Sequence, residues 1–508
     1  TPIKSSAASD VYKRQEYIKM KQLILDYTPY CTRAAVVEDG NLEDFSVERA
    51  NFRGIVGNIY KGKVENVICG MQAAFVNIGE ERNGFLYTGD SLVDSRGLER
   101  DMPQGKTYNV SPGDVIMCQV VKEPFGQKGA RLTTDVTIPG YYLVLLPLST
   151  FTGASRKIED GKRRSYLEEY VSSICPEGMG YIIRTAADKA SDEDLLSEMN
   201  TLKERWGQIR KDYAAAPEGT LVFEEASLFE RAVRETMYED VDEVVTNDAT
   251  VVKKLSGKIG KPVVLYEGER NIMKYYGVSA QINHLCDRKV WLQNGAYLVI
   301  DKTEALTSID VNTGKFVGTS HLEDTVYRTN LAAAESIAVQ LRLRNISGIV
   351  IIDFIDMTVE EHRQSVLETL KEALKRDRMK TSTIGFTSLG LVELTRKKTR
   401  APLDEFMLQP CKECAGGFVI SDSQLAFMLR DDLVDFIIEN KCDVVYVGTH
   451  SDVFDMVFES GIMNRQLENA WANKQIYFYA DDSIAREKWQ ISKDKPEGLK
   501  SYVRVLAK

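Results

Sequence analysis

Only four histidines, His284, His321, His362 and His450, stand among 508 residues. They are too few and too dispersed for a histidine-based metal centre, and nothing supports a histidine acid–base pair. Long apolar runs are missing too: none approaches the roughly 18 residues that a membrane span needs. No apolar signal-peptide core opens the chain, so a cytoplasmic protein is expected. Internal repeats and low-complexity tracts are absent. Positive charge is not in excess either, the formal net charge being −10. That argues against a nucleic-acid partner only in the mean field, because a basic groove can lie on an acidic protein. Of eight cysteines, Cys31, Cys69, Cys118, Cys175, Cys286 and Cys442 are scattered singly and read as reduced thiols in apolar surroundings.

What is present is ordinary soluble composition, 43% hydrophobic and 28% charged, in a chain long enough for three to five domains. Residues 1–19 do not lead into the pattern that follows, and are read as a non-native or disordered leader. Met20 opens a β-hairpin pattern turning at Asp39-Gly40. From Asn58, short alternating strands with glycine at the turns predict a small antiparallel barrel. The stretch "SLVDSRGLERDMPQGKTYNVSPGD" within it reads as a long polar loop. The barrel interleaves Tyr60, Phe75 and Phe85 with Lys61, Lys63, Arg82 and Lys128. Two readings stand for them: a platform on which nucleic-acid bases stack while cations follow phosphates, or aromatics that fill the barrel.

Strands "GYYLVLLP" and "GYIIRTAA" and an amphipathic helix near 193–213 follow, then a helix and strand in "EEASLFERAVRETMYEDVDEVVTN" and a short helix in "DATVVKKLSG". After Val290 a hairpin turning at Asn294-Gly295 begins a second α/β unit. A helix over 322–344 and the near-continuous apolar strand "SGIVIIDFIDM" complete a βαβ-like unit, with that strand expected to be covered on both faces. A further helix, a strand through "GLVELTRKKT" and a mixed α/β tail from Ser421 close the chain.

"LTSIDVNTG" ends a strand on Asp310 and Asn312, and "GIVIID" ends its own strand on Asp353, 43 residues later. Two carboxylates brought to the carboxyl ends of neighbouring strands can bind Mg²⁺, which takes few protein oxygens and keeps its waters. Asp356 is an outer member of that group. The alternative is that these aspartates cap helices or pair with arginines. In "QPCKECAGG", Cys411 and Cys414 form a Cys-X-X-Cys knuckle, and the glycines after it argue against thioredoxin-like chemistry. Structural zinc wants four ligands, so this pair implies two more from another subunit. The alternative is two thiols in a loop.

Taken in order, "NIYKGKV", "QAAFVNIG", "EALTSIDVNTG", "QLRLRNISGIVIIDFIDM" and "CKECAGG" resemble the ribonuclease E/G family, in its shorter ribonuclease G type. The match runs from about Met20 to Lys508. The resemblance implies a multidomain α/β fold with an inserted OB-type β-barrel. It divides the chain into a split ribonuclease-H-like domain (20–53 and 227–286), an OB-type RNA-binding domain (54–133), a 5′-end sensor region (134–226), a deoxyribonuclease-I-like catalytic domain (287–408), a zinc link (409–418) and a small C-terminal domain (419–508). It implies an Mg²⁺-dependent endoribonuclease of RNA processing and decay, cutting single-stranded RNA to leave a 5′-phosphate and a 3′-hydroxyl. Asp310 and Asp353 would hold Mg²⁺, Asn312 the scissile phosphate, and Phe75, Phe85 and Lys128 the RNA. Gly140, Val144, Arg184 and Thr185 would sense a 5′-monophosphate, and Cys411 and Cys414 would share Zn²⁺ between two protomers of a homodimer, with dimers pairing into tetramers. Lys412 stands where relatives often carry proline, which leaves both ligands intact. "NTGKFVG" holds less glycine than many relatives, so loop mobility after Asn312 is expected to differ. No scaffold tail or membrane role is implied. A non-catalytic RNA-binding protein and a deoxyribonuclease are the competing readings.

Overall fold

The computed structural model describes residues 20–28, 31–49, 54–68, 70, 72–87, 110–124, 128–225, 241–256, 261–314, 322–398, 402–412, 414, 417–459, 462, 474–499 and 501–505. The leader, most of the long polar loop, the helix predicted within 226–240 and the loop after Gly314 lie outside these residues. The chain divides into two compact units, one of residues 1–52 with 240–508, the other of residues 53–239.

The first unit opens with β1 (Lys21–Tyr27), β2 (Cys31–Glu38) and β3 (Asn41–Arg49), antiparallel neighbours. The predicted turn is there: Asp39 and Gly40 both take positive φ, as a two-residue hairpin of this hand requires.

The second unit contains β4 (Ile59–Ile68), β5 (Ala73–Asn77), β6 (Gly84–Tyr87), β7 (Val115–Lys122) and β8 (Arg131–Thr133). These pair in the order β4-β5-β6-β8-β7, and β7 returns to β4, so five strands close into a barrel. Val64, Ala74, Val76, Leu86, Cys118, Val120 and Leu132 fill it. Next come β9 (Ile138–Pro139), β10 (Leu143–Leu146), β11 (Gly153–Ala154), helix α1 (Gly161–Ile174), β12 (Gly180–Ile183), helix α2 (Asp192–Ala215) and β13 (Thr220–Phe223). Strand β13 adds to the edge of β4, and the others form a sheet ordered β11-β12-β10-β9. The start of α2 is written locally: Ser191 and Asp194 exchange capping hydrogen bonds, and Asp192, Glu193 and Asp194 place negative charge where the helix dipole favours it.

The first unit resumes with β14 (Glu243–Thr246), helix α3 (Ala249–Leu255) and β15 (Val263–Leu265), which extend the opening sheet to β15-β14-β1-β2-β3. A six-stranded sheet follows: β16 (Lys289–Trp291), β17 (Tyr297–Lys302), β18 (Leu306–Asn312), β19 (Gly348–Asp353), β20 (Thr381–Phe386) and β21 (Val392–Arg396), ordered β16-β17-β18-β19-β21-β20. Helices α4 (Leu322–Leu343) and α5 (Glu360–Leu374) pack on one face, where Ile309, Val311, Val350 and Ile352 meet Ile337, Leu341, Val366 and Leu370. Strands β18 and β19 run parallel on either side of α4, the predicted βαβ unit.

One expectation fails here. Strand β19 is not covered on both faces: Val350 and Ile352 are buried, but Ile349 is 49% exposed. The apolar run spends half its residues on an open sheet face, and that face carries the aspartates.

The chain continues with hairpin β22 (Leu408–Pro410) and β23 (Phe418–Ile420), helix α6 (Asp422–Asn440), strand β24 (Val444–Thr449), helix α7 (Ser451–Glu459), and strands β25 (Gln475–Ala480), β26 (Trp489–Ser492) and β27 (Val503–Val505). Among the described residues no helix is long and apolar enough to cross a membrane.

Candidate active site

Strand β18 alternates with period two. Ile309 and Val311 point into the core, which sends Ser308, Asp310 and Asn312 to the open face. In the parallel ladder Asp310 lies directly opposite Asp353, the last residue of β19. The two strand ends therefore deliver both carboxylates side by side, each exposed to solvent. Asn312 donates its Nδ2 to Asp310 Oδ2 at 2.7 Å, joining the group.

The electrostatics show what the pair lacks. Partial burial, then the neighbouring charges of Asp310 and Asp356, push the Asp353 carboxyl above its ordinary range. Among the described residues no lysine, arginine or histidine pairs with Asp310 or Asp353, and neither caps a helix. The bland reading of the aspartates thus finds no support there. The donor set fits a hard divalent cation that needs few protein oxygens. Among the described residues no cluster of three or more His, Cys, Asp or Glu suited to a metal occurs, so Asp310 and Asp353 are the carboxylates this site offers there.

The backbone after Asp353 is pinned by residues that sequence reasoning passed over. Fully buried Asn330, on α4, donates to the Ile355 carbonyl at 2.8 Å and accepts from the Ile355 amide at 3.1 Å. Glu323, in the first turn of the same helix, accepts from the Thr358 hydroxyl at 2.8 Å and from the amides of Thr358 and Val359. A buried asparagine on an apolar helix face was the available signal, because such an amide must find partners.

In the barrel, Phe75 and Phe85 lie opposite each other on β5 and β6, half-buried, in an edge-to-face pair 5.9 Å apart. Tyr87, 38% exposed and 6.4 Å from Phe85, extends this surface and was not singled out from sequence. Lys128 is exposed just ahead of β8, which runs beside β6. Gly129 holds it there, since a Cβ at that position would stand 1.9 Å from the Asn83 carbonyl oxygen. Three other barrel residues have partners within the protein. Tyr60 is 2% exposed, inside the barrel, with its hydroxyl on Glu80. Lys61 donates to the carbonyls of Tyr213 and Ala216 at the end of α2, so it does not track phosphates. Lys63 pairs with Glu218 at 2.9 Å.

The four residues of the expected 5′-end pocket gather around β10 and β12. Arg184 Nη1 donates to the Gly140 carbonyl at 2.7 Å, and exposed Thr185 shares a 3.0 Å hydrogen bond with Ser155. Val144 is buried against Ile182 and Phe151. Beneath them lies Glu198 of α2, another residue the sequence did not announce. It accepts from the amides of Tyr141, Tyr142 (2.6 Å) and Leu143 (2.7 Å). Burial pushes its carboxyl up, while those amides and Arg184 pull it back. A Cβ on Gly140 would meet this carboxylate 2.8 Å away, which is why the position needs glycine.

Cys411 and Cys414 lie in the turn of the β22–β23 hairpin, closed by the Cys411 amide on the Gly417 carbonyl at 2.8 Å. A Cβ on Gly417 would stand 2.4 Å from Cys414 Sγ, so glycine lets the thiol fold over the turn. One chain supplies two sulfurs to this knuckle, and a structural zinc would need four ligands.

Comparison with known proteins identifies the family of this chain. The model of the Ribonuclease E/G family matches residues 137–399, just over half of the chain and the stretch containing Gly140, Val144, Arg184, Thr185, Asp310, Asn312 and Asp353. Ribonuclease G of Haemophilus influenzae is 42% identical over 407 residues, spanning 78% of this chain and 83% of the relative. Ribonuclease G of Escherichia coli (strain K12) is 40% identical over 411 residues, with the same coverage of both. Ribonuclease E of the same strain is 33% identical over 418 residues, covering 80% of this chain and 39% of that relative. The chain belongs to the ribonuclease E/G family, and within it to the ribonuclease G type.

Proposed function

We propose that this protein, an endoribonuclease by family, cuts single-stranded RNA at Asp310 and Asp353 in a magnesium-dependent reaction. The observation that carries the reading is the in-register placement of the two carboxylates on one open sheet face, with Asn312 hydrogen-bonded to Asp310. Asp310 and Asp353 would hold the ion, which when bound neutralises charge on the scissile phosphate and lowers the pKa of a bound water. Asn312 keeps one amide proton on Asp310 and has a second for a phosphate oxygen. Asn330 and Glu323 hold the 354–359 loop so that Asp353 does not swing away from Asp310. An in-line attack of water on phosphorus breaks the bond to the 3′ oxygen, leaving a 3′-hydroxyl on one product and a 5′-phosphate on the other.

Phe75, Phe85, Tyr87 and Lys128 supply bases with aromatic faces and a phosphate with a cation. Arg184 and Thr185 offer a guanidinium and a hydroxyl to a terminal 5′-monophosphate, and Glu198 sets the 140–143 backbone around them. Zn²⁺ shared through Cys411 and Cys414 would link two protomers, and such dimers can assemble into tetramers. A cytoplasmic place, in RNA processing and decay, fits this chemistry.

The deciding experiment compares cleavage of one A/U-rich oligonucleotide carrying a 5′-monophosphate or a 5′-hydroxyl, in magnesium, beside its DNA counterpart. Faster cutting of the monophosphate RNA is expected. Equal rates would remove the sensor, cutting of DNA alone would make the protein a deoxyribonuclease, and binding without cleavage would leave an RNA-binding protein.

A further inference from the structure

The open face of the six-stranded sheet continues past the carboxylates. Asn312 lies opposite Tyr297 on β17, and Tyr297 lies opposite Trp291 on β16. Directly paired residues share a face, so Asp353, Asp310, Asn312, Tyr297 and Trp291 all rise from the same side. Trp291 is 57% exposed, an unusual position for the largest apolar side chain. Its ring stands 5.3 Å from that of Tyr297 at an interplanar angle of 61°. Lys289, two residues earlier on the same edge strand, places its Nζ 3.5 Å from the Tyr297 ring centre and 4.1 Å from that of Trp291. Two strand spacings, about 10 Å, separate Trp291 from Asn312.

The chain leaving the site closes on this group. Gly314 takes positive φ, and a Cβ there would stand 2.4 Å from the Gly295 carbonyl oxygen and 3.2 Å from the Tyr297 ring. The backbone that carries Asn312 is therefore packed directly against the turn that joins Trp291 to Tyr297.

We propose that Trp291, Tyr297 and Lys289 form a base-stacking subsite for single-stranded RNA, taking a nucleotide beside the scissile phosphate. The inference rests on the ribonuclease reading of Asp310 and Asp353 and adds a second contact surface to the barrel aromatics. An exposed indole offers any base a π-face, and the ammonium between the two rings meets the negative strand, so the subsite holds RNA without reading its sequence. The occupant is RNA because the face is continuous with the carboxylate pair and carries a cation.

The test uses the full chain and an oligonucleotide series in which an abasic residue replaces each nucleotide in turn near the cut. Trp291→Ala is expected to raise KM about 5- to 100-fold, with little change in melting temperature, whereas Trp291→Phe stays within about threefold of the parent. At one position within a few nucleotides of the cut, the abasic substitution and Trp291→Ala should together cost no more than either alone. Additive losses at every position would overturn the subsite while leaving the ribonuclease reading intact. So would an unchanged KM accompanied by an altered oligomeric state, which would make Trp291 a contact between copies. Failure of the parent protein to cut any RNA would instead overturn the reading on which the inference rests.

Discussion

Replacing Asp353 with asparagine keeps shape and removes one of the two charges facing each other across β18 and β19. Two unit charges about 4 Å apart in water-like surroundings interact by about 1 kcal/mol, and a divalent ion doubles this to about 2 kcal/mol. The site is exposed, so screening near the water limit applies. Asp353→Asn should therefore weaken the apparent Mg²⁺ affinity about 30-fold. The sign of the stability effect is opposite. A carboxyl whose folded value is raised binds its proton more tightly in the folded protein, so the folded state loses stability as pH rises through the window from the ordinary value up to the raised one. Asparagine removes that repulsion at neutral pH. The variant should melt no lower than the parent without magnesium, need about 30-fold more Mg²⁺ for the parent's rise in melting temperature, bind RNA and fail to cut it. Thermal melting across a magnesium titration, beside cleavage of a fluorescent oligonucleotide, reads both effects. A variant that keeps the parent's magnesium response and cutting rate would refute the carboxylate site.

Three further outcomes are expected. Cys411→Ser, or a strong chelator, should convert dimers to monomers in sedimentation experiments; an unchanged mass would remove zinc from the interface. Arg184→Gln should bring the ratio of cleavage rates for 5′-monophosphate and 5′-hydroxyl RNA to about one, and Glu198→Gln, which cannot accept as strongly from three amides, should lower it while the 5′-hydroxyl rate stays put. Asp26→Asn tests the core of the first unit: burial alone would raise this carboxyl, but Arg33 at 2.5 Å and Arg430 at 3.9 Å outweigh it and hold it below the ordinary range. Its stabilisation is present above the ordinary carboxylate value and lost as pH falls through the lower, folded one; the substitution leaves the buried Arg33 guanidinium without its carboxylate, while Arg430 keeps Asp431 at 3.1 Å, and should cost about 3–5 kcal/mol in denaturant unfolding at neutral pH.

The chain by itself determined the element types and much of the chemistry. Asp39-Gly40 and Asn294-Gly295 announced their turns because few residues tolerate positive φ. The period of α4, two aspartates at strand ends and the Cys-X-X-Cys knuckle were legible because each depends on neighbours in sequence. Tertiary structure decided phase and register. An apolar run such as "GIVIID" does not say which of its faces is open, so β19 looked doubly covered until Ile349 was found exposed. Tyr60 shares the inward phase of Gly62 and Val64, whereas Phe75 shares the outward phase of Asn77, and barrel closure set which of them fills the interior. Pairing of Asp310 with Asp353, of Asn312 with Tyr297, and of Tyr297 with Trp291 is a property of strand register, which hydrogen bonds across the sheet set and sequence spacing does not. Glu198 and Asn330 escaped notice for the same reason: a polar side chain on a helix declares its purpose only when the backbone it must satisfy is brought to it.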